Sequence, residues 1–221
     1  MRLRLAPKSG FQSDRQFFPM LGVLAVQLKG RRIGFALTGS FCTLKEVMGH
    51  IKKLVEEGAE VIPVVSREVA TTDTRFGTAA YWKRVLRELT GNEIIDSVVA
   101  AEPIGPEKVL DLLVVAPCTG NTLAKIANAI TDGPVLMAVK AQLRNQRPVV
   151  LAISTNDGLG LNARNLGVVL NTKNIYMVPF GQDDPKEKPN SLVARMDLLL
   201  ETILHALNGK QIQPVMVSYA S

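Results

Sequence analysis

The sequence predicts an α/β protein: an open, doubly wound, mostly parallel sheet covered by helices on both sides, in three layers. Three observations predict it. Short apolar runs alternate along the chain with longer segments whose apolar residues fall at helical spacing. The run at 112–116 consists of Leu, Val and Ala, the composition of a strand buried on both faces. The intervals between strand-like runs are long enough for a helical crossover, which parallel neighbours require.

The elements follow in order. A first strand is predicted over 33–37, a helix over 43–57 closed by Gly58, and a second strand over 60–65, so this β-α-β unit pairs in parallel. Over 79–89, Trp82, Val85, Leu86 and Leu89 lie at helical spacing before Gly91, whereas 94–99 reads equally as helix or strand. The strand at 112–116 ends at Pro117, and a helix is predicted over 123–130. A second helix opens with Pro134 in its first turn, and a strand over 149–153 closes another crossover. A short helix over 162–170, a strand over 175–178 and the charged loop GQDDPKEKPN come next. A long amphipathic helix over 191–207 ends near Gly209. In sheets of this kind, ligands lie beyond the carboxyl ends of the strands near the switch point.

Size and composition bound the function. The 221 residues fit one large domain, read as 29–209, with an N-terminal extension over 1–28 expected to be partly disordered and a C-terminal tail over 210–221. Translation starting at Met20 instead of Met1 would equally explain the first residues. The apolar stretch at 17–28 is interrupted by Pro19, Gly22 and Gln27 and is too short to span a membrane. A net charge of +6 favours an acidic small molecule or partner. Nucleic acid is not expected, because only Lys29 to Arg32 is densely basic and three Tyr and one Trp form no stacking series. Cys42 and Cys118 stand far apart in sequence, with neither disulfide nor metal spacing, so a reducing, cytoplasmic setting is expected and no metal. The first β-α turn carries no G-x-G-x-x-G fingerprint, which argues against a nicotinamide site on this chain.

The loop after 112–116 is the strongest functional signal. Across Cys118, Thr119, Gly120, Asn121 and Thr122 the side chains are small or hydrogen-bonding, and a helix N-terminus follows, an arrangement suited to phosphate or carboxylate. The same residues also fit an ordinary strand-to-helix turn with Thr and Asn as caps. After the first strand, Gly39 permits a tight turn and Ser40 can donate to a phosphate or serve as a cap. Asn156 offers an amide to a carboxylate, or forms an Asx turn with Asp157 before Gly158. Arg75, Arg144, Arg164 and Arg195 are candidate forks for a carboxylate.

The segment APCTGNTLAKIANAITD resembles the P-x-S-A-N-T-x-A-K-x-A-x-G-x-x-D signature of the flavoproteins that include the cysteine decarboxylases of lantibiotic and coenzyme A synthesis. Pro117, Asn121, Thr122, Ala124, Lys125, Ala127 and Asp132 match it; Thr119 and Gly120 replace Ser-Ala, and Ala129 replaces Gly. IGFALTGSFCTLKEVMGHI looks like the family's first strand and phosphate loop. VVLAISTNDGLGLNARNL sits where the family carries P-x-M-N-x-x-M, with Thr155 and Leu159 in place of its two Met.

The resemblance covers most of the chain. It implies a Rossmann-like flavoprotein fold holding FMN between Thr38, Gly39, Ser40, Ser66, Pro117, Thr119, Gly120, Asn121 and Thr122. It further implies a substrate wall of Asn156, Asn162 and Arg164, with Asn156 orienting the substrate, and packing as trimers or multiples of them. The wording is nearest to a branch in which this type of chain is one subunit of an oxidoreductase acting on a dianionic ring precursor. That branch implies an NAD(P)-binding partner subunit. The family's decarboxylases carry a catalytic His after the second strand, but SREVATTDTRFGTAAYW has none, and His50 and His205 lie on predicted helices. Two alternatives stand beside this reading: decarboxylation of a cysteinyl substrate, and a non-catalytic role in which the chain binds a nucleotide and serves assembly.

Overall fold

The computed structural model describes residues 28–219; the extension expected over 1–28, all but its last residue, and residues 220–221 lie outside the described residues. Five strands pair in parallel: β1 (Arg32–Leu37), β2 (Glu60–Val65), β3 (Leu112–Cys118), β4 (Val149–Thr155) and β5 (Ile175–Met177). Their spatial order is β2-β1-β3-β4-β5, so the chain reverses its winding between β1 and β3. Ile33 is in register with both Val61 and Leu112, and Val149 with both Leu113 and Ile175. These strands are buried along almost their whole length, as their lack of polar alternation requires.

Helices cover both faces. On one side α1 (Leu44–Glu56), α3 (Ala79–Thr90) and α8 (Leu199–Leu207) bring Val47, Ile51, Trp82, Leu86, Leu199 and Ile203 against Phe35, Leu112 and Val150. On the other, α4 (Val98–Ala101), α5 (Gly120–Ala127), α6 (Pro134–Arg144) and α7 (Ala163–Leu170) pack Leu123, Val135, Val139 and Leu166 on Val64, Val115 and Leu151. A short α2 (Arg67–Thr71) leaves the carboxyl end of β2.

Four local expectations are corrected. Pro117 does not end its strand: β3 continues to Cys118, because a register shift between Val115 and Cys118 accommodates a residue that cannot donate to the ladder. The helix predicted over 123–130 starts at Gly120 and stops at Ala127, since the Thr119 hydroxyl accepts from the Thr122 N–H and caps it early. The ambiguous 94–99 divides: Ile95 bridges Val64, and Ser97 then caps α4. The long helix predicted over 191–207 is three elements, a strand β7 (Leu192–Ala194), a 3₁₀ turn (Met196–Leu198) and α8. Its apolar spacing mimics a helix, but Leu192 and Val193 pair antiparallel with Thr155 and Ser154, and this tertiary pairing overrides local periodicity.

The far half of β4 thus has a different neighbour from its near half. Where Val149 to Leu151 pair with β5, Ser154 and Thr155 pair with β7, which pairs in turn with β6 (Phe180–Gly181). Residues 211–219, read from sequence as part of a tail, lie along this small antiparallel arm: the Phe180 N–H donates to Val215 C=O and the Val217 N–H to Phe180 C=O.

Candidate functional site

The site is assembled where the β1, β3 and β4 loops meet at the reversal point. Thr38 is buried, and its hydroxyl donates to the Pro117 carbonyl at 2.6 Å while accepting from the Thr119 N–H at 3.1 Å. It fastens the first loop to the third strand's loop. Ser40 Oγ lies 3.0 Å from Ser154 Oγ and 3.1 Å from Thr43 Oγ1, which ties the same loop to the end of β4. Gly39 lies beside α2, and a Cβ there would make only an ordinary contact 3.6 Å from Glu68 Cβ; the tight turn expected at Gly39 does not depend on a left-handed backbone.

The next loop presents α5. Thr119 Oγ1 lies 3.0 Å from Thr122 Oγ1, and the side-chain amide of Asn121, exposed on the first turn, makes no hydrogen bond among the described residues. Gly120 is a close-approach glycine, since a Cβ on it would fall 2.5 Å from Thr155 Oγ1 and 2.8 Å from Asn162 Nδ2. The space left by the missing methyl group is therefore filled by the β4 loop.

A cleft of about 150 Å³ opens between the starts of α2, α5 and α6, lined among others by Ser66, Arg67, Asn121, Thr122 and Lys125. Ser66 also caps α2 by accepting from Val69 N–H. Lys125 is paired with Asp132 at 2.7 Å, which leaves Arg67 as the cation of this cleft outside an ion pair among the described residues. Sequence reasoning did not single out Arg67; the signal was its position directly after Ser66 at the end of β2.

The substrate-wall residues separate into two kinds. Asp157, not Asn156, makes the turn: its carboxylate accepts from Leu161 N–H and Asn162 Nδ2, both at 3.1 Å, and its own N–H donates to Thr155 Oγ1 at 3.2 Å. Asn162 Oδ1 accepts from Asn165 Nδ2 at 2.8 Å, so this amide joins the loop to α7. Asn156 is exposed and hydrogen-bonds to nothing among the described residues, and Arg164 is exposed and outside any ion pair there. Of the other arginines, Arg195 is held by Asp197 through two bonds at 3.0 and 2.9 Å. Arg75 lies over the Phe76 ring at 4.8 Å. Arg144 lines a separate groove with Ile126, Ile130 and Val139. Asp157 bears out the Asx-type turn that the sequence offered, whereas the holding roles of Ser154 and Thr155 carried no sequence signal.

Neither histidine stands at this edge of the sheet. His50 lies midway along α1, its pKa drawn below the ordinary value by burial and then by Lys53; His205 is on α8, 3.9 Å from Glu201. Cys118 is buried, which pushes its thiol up to about 12, and Cys42 is exposed; they form no disulfide. Among the described residues no group of three or more His, Cys, Asp or Glu is placed to hold a metal, and no helix is long and apolar enough to cross a membrane.

The donor set fits FMN. The two loops, 38–43 and 117–122, contain hydroxyls and an amide but no Asp or Glu, and Arg67 supplies positive charge beside them. Glu68 and Asp132 also line the cleft, but Asp132 is neutralised by Lys125 at 2.7 Å and neither loop carries a carboxylate, so a phosphate at the loops meets hydroxyl and amide donors. In open sheets of this order ligands lie at the β1/β3 reversal, the place a flavin mononucleotide takes in flavodoxin-type folds.

Fold and site together define a doubly wound flavin-type α/β protein, and comparison with known proteins agrees. Residues 24–186 match the Flavoprotein family. The B subunit of dipicolinate synthase from Bacillus subtilis is 60% identical over 86% of this chain and 95% of its own length. The crystal structure of the corresponding B subunit from Bacillus halodurans is 54% identical, with a TM-score of 0.80 over 86% of this chain and 98% of its own. The cypemycin decarboxylase CypD, 18% identical with a TM-score of 0.62 over 82% of this chain and 96% of its own, shares the fold. The chain belongs to the flavoprotein family, together with these two dipicolinate synthase polypeptides.

Proposed function

We propose that this chain is the flavoprotein-type subunit of a dipicolinate synthase, which works with the synthase's NAD(P)-binding A subunit to form pyridine-2,6-dicarboxylate during sporulation in the mother-cell cytoplasm. The observation that carries this reading is 60% identity to the B subunit of a dipicolinate synthase, along nearly all of that relative's length. The substrate is then a dihydro precursor at the same carbon level, and its ring loses two electrons and two protons to become aromatic. Bound FMN would supply the two-electron acceptor.

The protein's own residues hold and orient. Ser40, Ser66, Thr119, Asn121, Thr122 and the loop backbone at Gly39, Pro117 and Gly120 form the cofactor cradle, with the Thr38 hydroxyl fixing the spacing of its two loops. Arg67 neutralises phosphate charge at the cleft. The unbonded Asn156 amide donates to one substrate carboxylate and Arg164 meets the other, while Asn162 and Asp157 keep this wall rigid. A homo-oligomer, a trimer or a multiple of one, completes the assembly.

The cysteinyl decarboxylase alternative finds no histidine at the sheet's carboxyl edge to serve as its acid–base group. The test is direct. The purified chain should show an FMN spectrum between about 350 and 500 nm in stoichiometric amount, and the dihydro precursor should bleach it. Asn156→Ala should keep the spectrum and lose synthase activity when combined with the NAD(P)-binding partner; full activity in that variant would remove Asn156 from the site. A colourless protein that takes up no FMN yet activates that partner would establish the assembly role instead.

A further inference from the structure

The loop that carries Asn156 is held from behind by a segment distant in sequence. Leu192 and Val193 of β7 pair with Thr155 and Ser154 immediately before Asn156, and the Leu159 N–H donates to the Asn190 carbonyl at 3.0 Å. Gly158 is pressed against β7 so closely that a Cβ would lie 2.7 Å from Leu192. The position of the Asn156 loop is thus set by the β6–β7 arm.

The inward side chains of the arm, Phe180, Leu192 and Ala194, are buried, but its strands are only two and three residues long, the loop between them is mostly exposed over 185–190, and the outer edge of β6 needs a backbone partner. Its outer edge is closed by the C-terminal residues. Phe180 exchanges backbone bonds with Val215 and Val217, Gly181 lets the Val217 carbonyl approach, and Tyr219 Oη donates to the Val193 carbonyl at 2.9 Å. Arg195, fixed by Asp197, lies over the Tyr219 ring at 5.7 Å. Upstream, the Gln211 amide anchors the segment by bonding both the N–H and the carbonyl of Met177, each at 2.7 Å.

We infer that residues 215–219 are a positioning clamp for the substrate wall: they close the edge of the β6–β7 arm, and the arm in turn fixes Asn156. Val193 is the central link, since it receives the Tyr219 hydroxyl bond and is paired with Ser154, two residues from Asn156. The flavin cradle meets the clamped segment only at its rim, where Ser40 Oγ lies 3.0 Å from Ser154 Oγ and Gly120 packs on Thr155; its loops leave β1, β2 and β3 and are fastened to each other by Thr38. Burial pushes the Tyr219 phenol up to about 12, which extends the range in which its hydroxyl is a donor into alkaline pH. The inference rests on the proposed role of Asn156 for its functional part and on the geometry of the arm for its structural part.

Two variants of the full chain test it: Tyr219→Phe, which keeps the ring and removes one hydrogen bond, and a stop at position 215. Three quantities are measured on each: FMN content, hydrogen exchange of residues 154–160 and 180–194, and calorimetric binding of pyridine-2,6-dicarboxylate to the FMN-loaded protein. Tyr219→Phe should leave FMN content unchanged, speed exchange in both segments by roughly fivefold and weaken dicarboxylate binding by a similar factor, as loss of one neutral hydrogen bond implies. The truncation should do the same by more than about tenfold. Unchanged exchange, or faster exchange with undiminished dicarboxylate binding, overturns the clamp. Asn156→Ala serves as the reference: if it binds the dicarboxylate as well as the unaltered chain does, the Asn156 reading fails by itself, while the exchange rates still decide whether 215–219 hold the arm.

Discussion

Thr38 shows how a single hydroxyl organises the site. Its oxygen donates to one strand-end group and accepts from another on the neighbouring loop, so Thr38→Val, nearly the same shape, leaves the Pro117 carbonyl and the Thr119 N–H both unpaired. The expected cost is about 1–3 kcal/mol, read as a lower urea midpoint, together with weaker FMN binding because the loop spacing is released. Gly120 acts by absence. Gly120→Ala restores the residue of the family signature but drives a methyl group into Thr155 and Asn162, and it should destabilise by about 1–3 kcal/mol. Adding Thr155→Ala should recover part of that loss, a non-additivity that a double-mutant cycle measures. His50 acts through its protonation. Burial first, and Lys53 second, hold its pKa below 6.5 against the opposing pull of Asp197. The unfolded chain then takes up a proton that the folded one refuses. Its contribution is fully present above 6.5 and drains away as pH falls through the folded value. Urea midpoints at about pH 7.5 and about pH 5.5 should therefore differ less in His50→Gln than in the unaltered protein.

Elements differ in how far local sequence dictates them. The parallel strands were legible because burial on both faces leaves continuous apolar runs, and α1 and α3 because their apolar faces and closing glycines are local signals. The reading failed where a distant partner decides. Residues 192–194 become a strand only because β4 offers Ser154 and Thr155 to pair with, and nothing within 191–207 announces that edge. In the site, the loops carrying Thr38, Ser40, Asn121 and Asn156 were legible from residue type and order. The bonds that join them span 79 residues from Thr38 to Pro117 and 114 from Ser40 to Ser154, and leave no local pattern. Asn156 and Asp157 could not be told apart as turn-former and free amide, since both types make Asx turns. Helix α6 carries a different kind of local conflict. Gln142 is completely buried, and neither of its side-chain polar atoms has a partner among the described residues. Gln142→Met fills similar space without the desolvation penalty and should stabilise by about 1 kcal/mol or more, visible as a raised thermal midpoint with unchanged FMN content.

At the scale of the whole molecule, the winding order places the cofactor cradle at the reversal between β1 and β3, and the antiparallel arm places the substrate wall at the far end of β4. The two proposed halves of the site rest mainly on different supports and touch where Ser40 meets Ser154 and Gly120 meets Thr155, so their responses to mutation should separate except at those contacts. The net charge of +6 adds a general attraction for anions, which both FMN and a pyridine dicarboxylate feel. With FMN as the proposed ligand of the folded chain, saturating cofactor should raise the unfolding midpoint, by an amount equivalent to about 2.7 kcal/mol at a free concentration one hundred times its dissociation constant. Charge attraction between exposed groups is screened by salt, so the dissociation constant should increase, and the shift shrink, between about 0.05 and about 0.5 M salt. Thermal melts with FMN at the two salt concentrations check both statements. Thr38→Val should give a smaller shift than the unaltered chain at matched FMN, whereas Asn156→Ala and Tyr219→Phe should give the full shift. If Asn156→Ala loses the FMN-dependent shift as completely as Thr38→Val does, cradle and wall are one unit and the division of the site between its two supports is wrong.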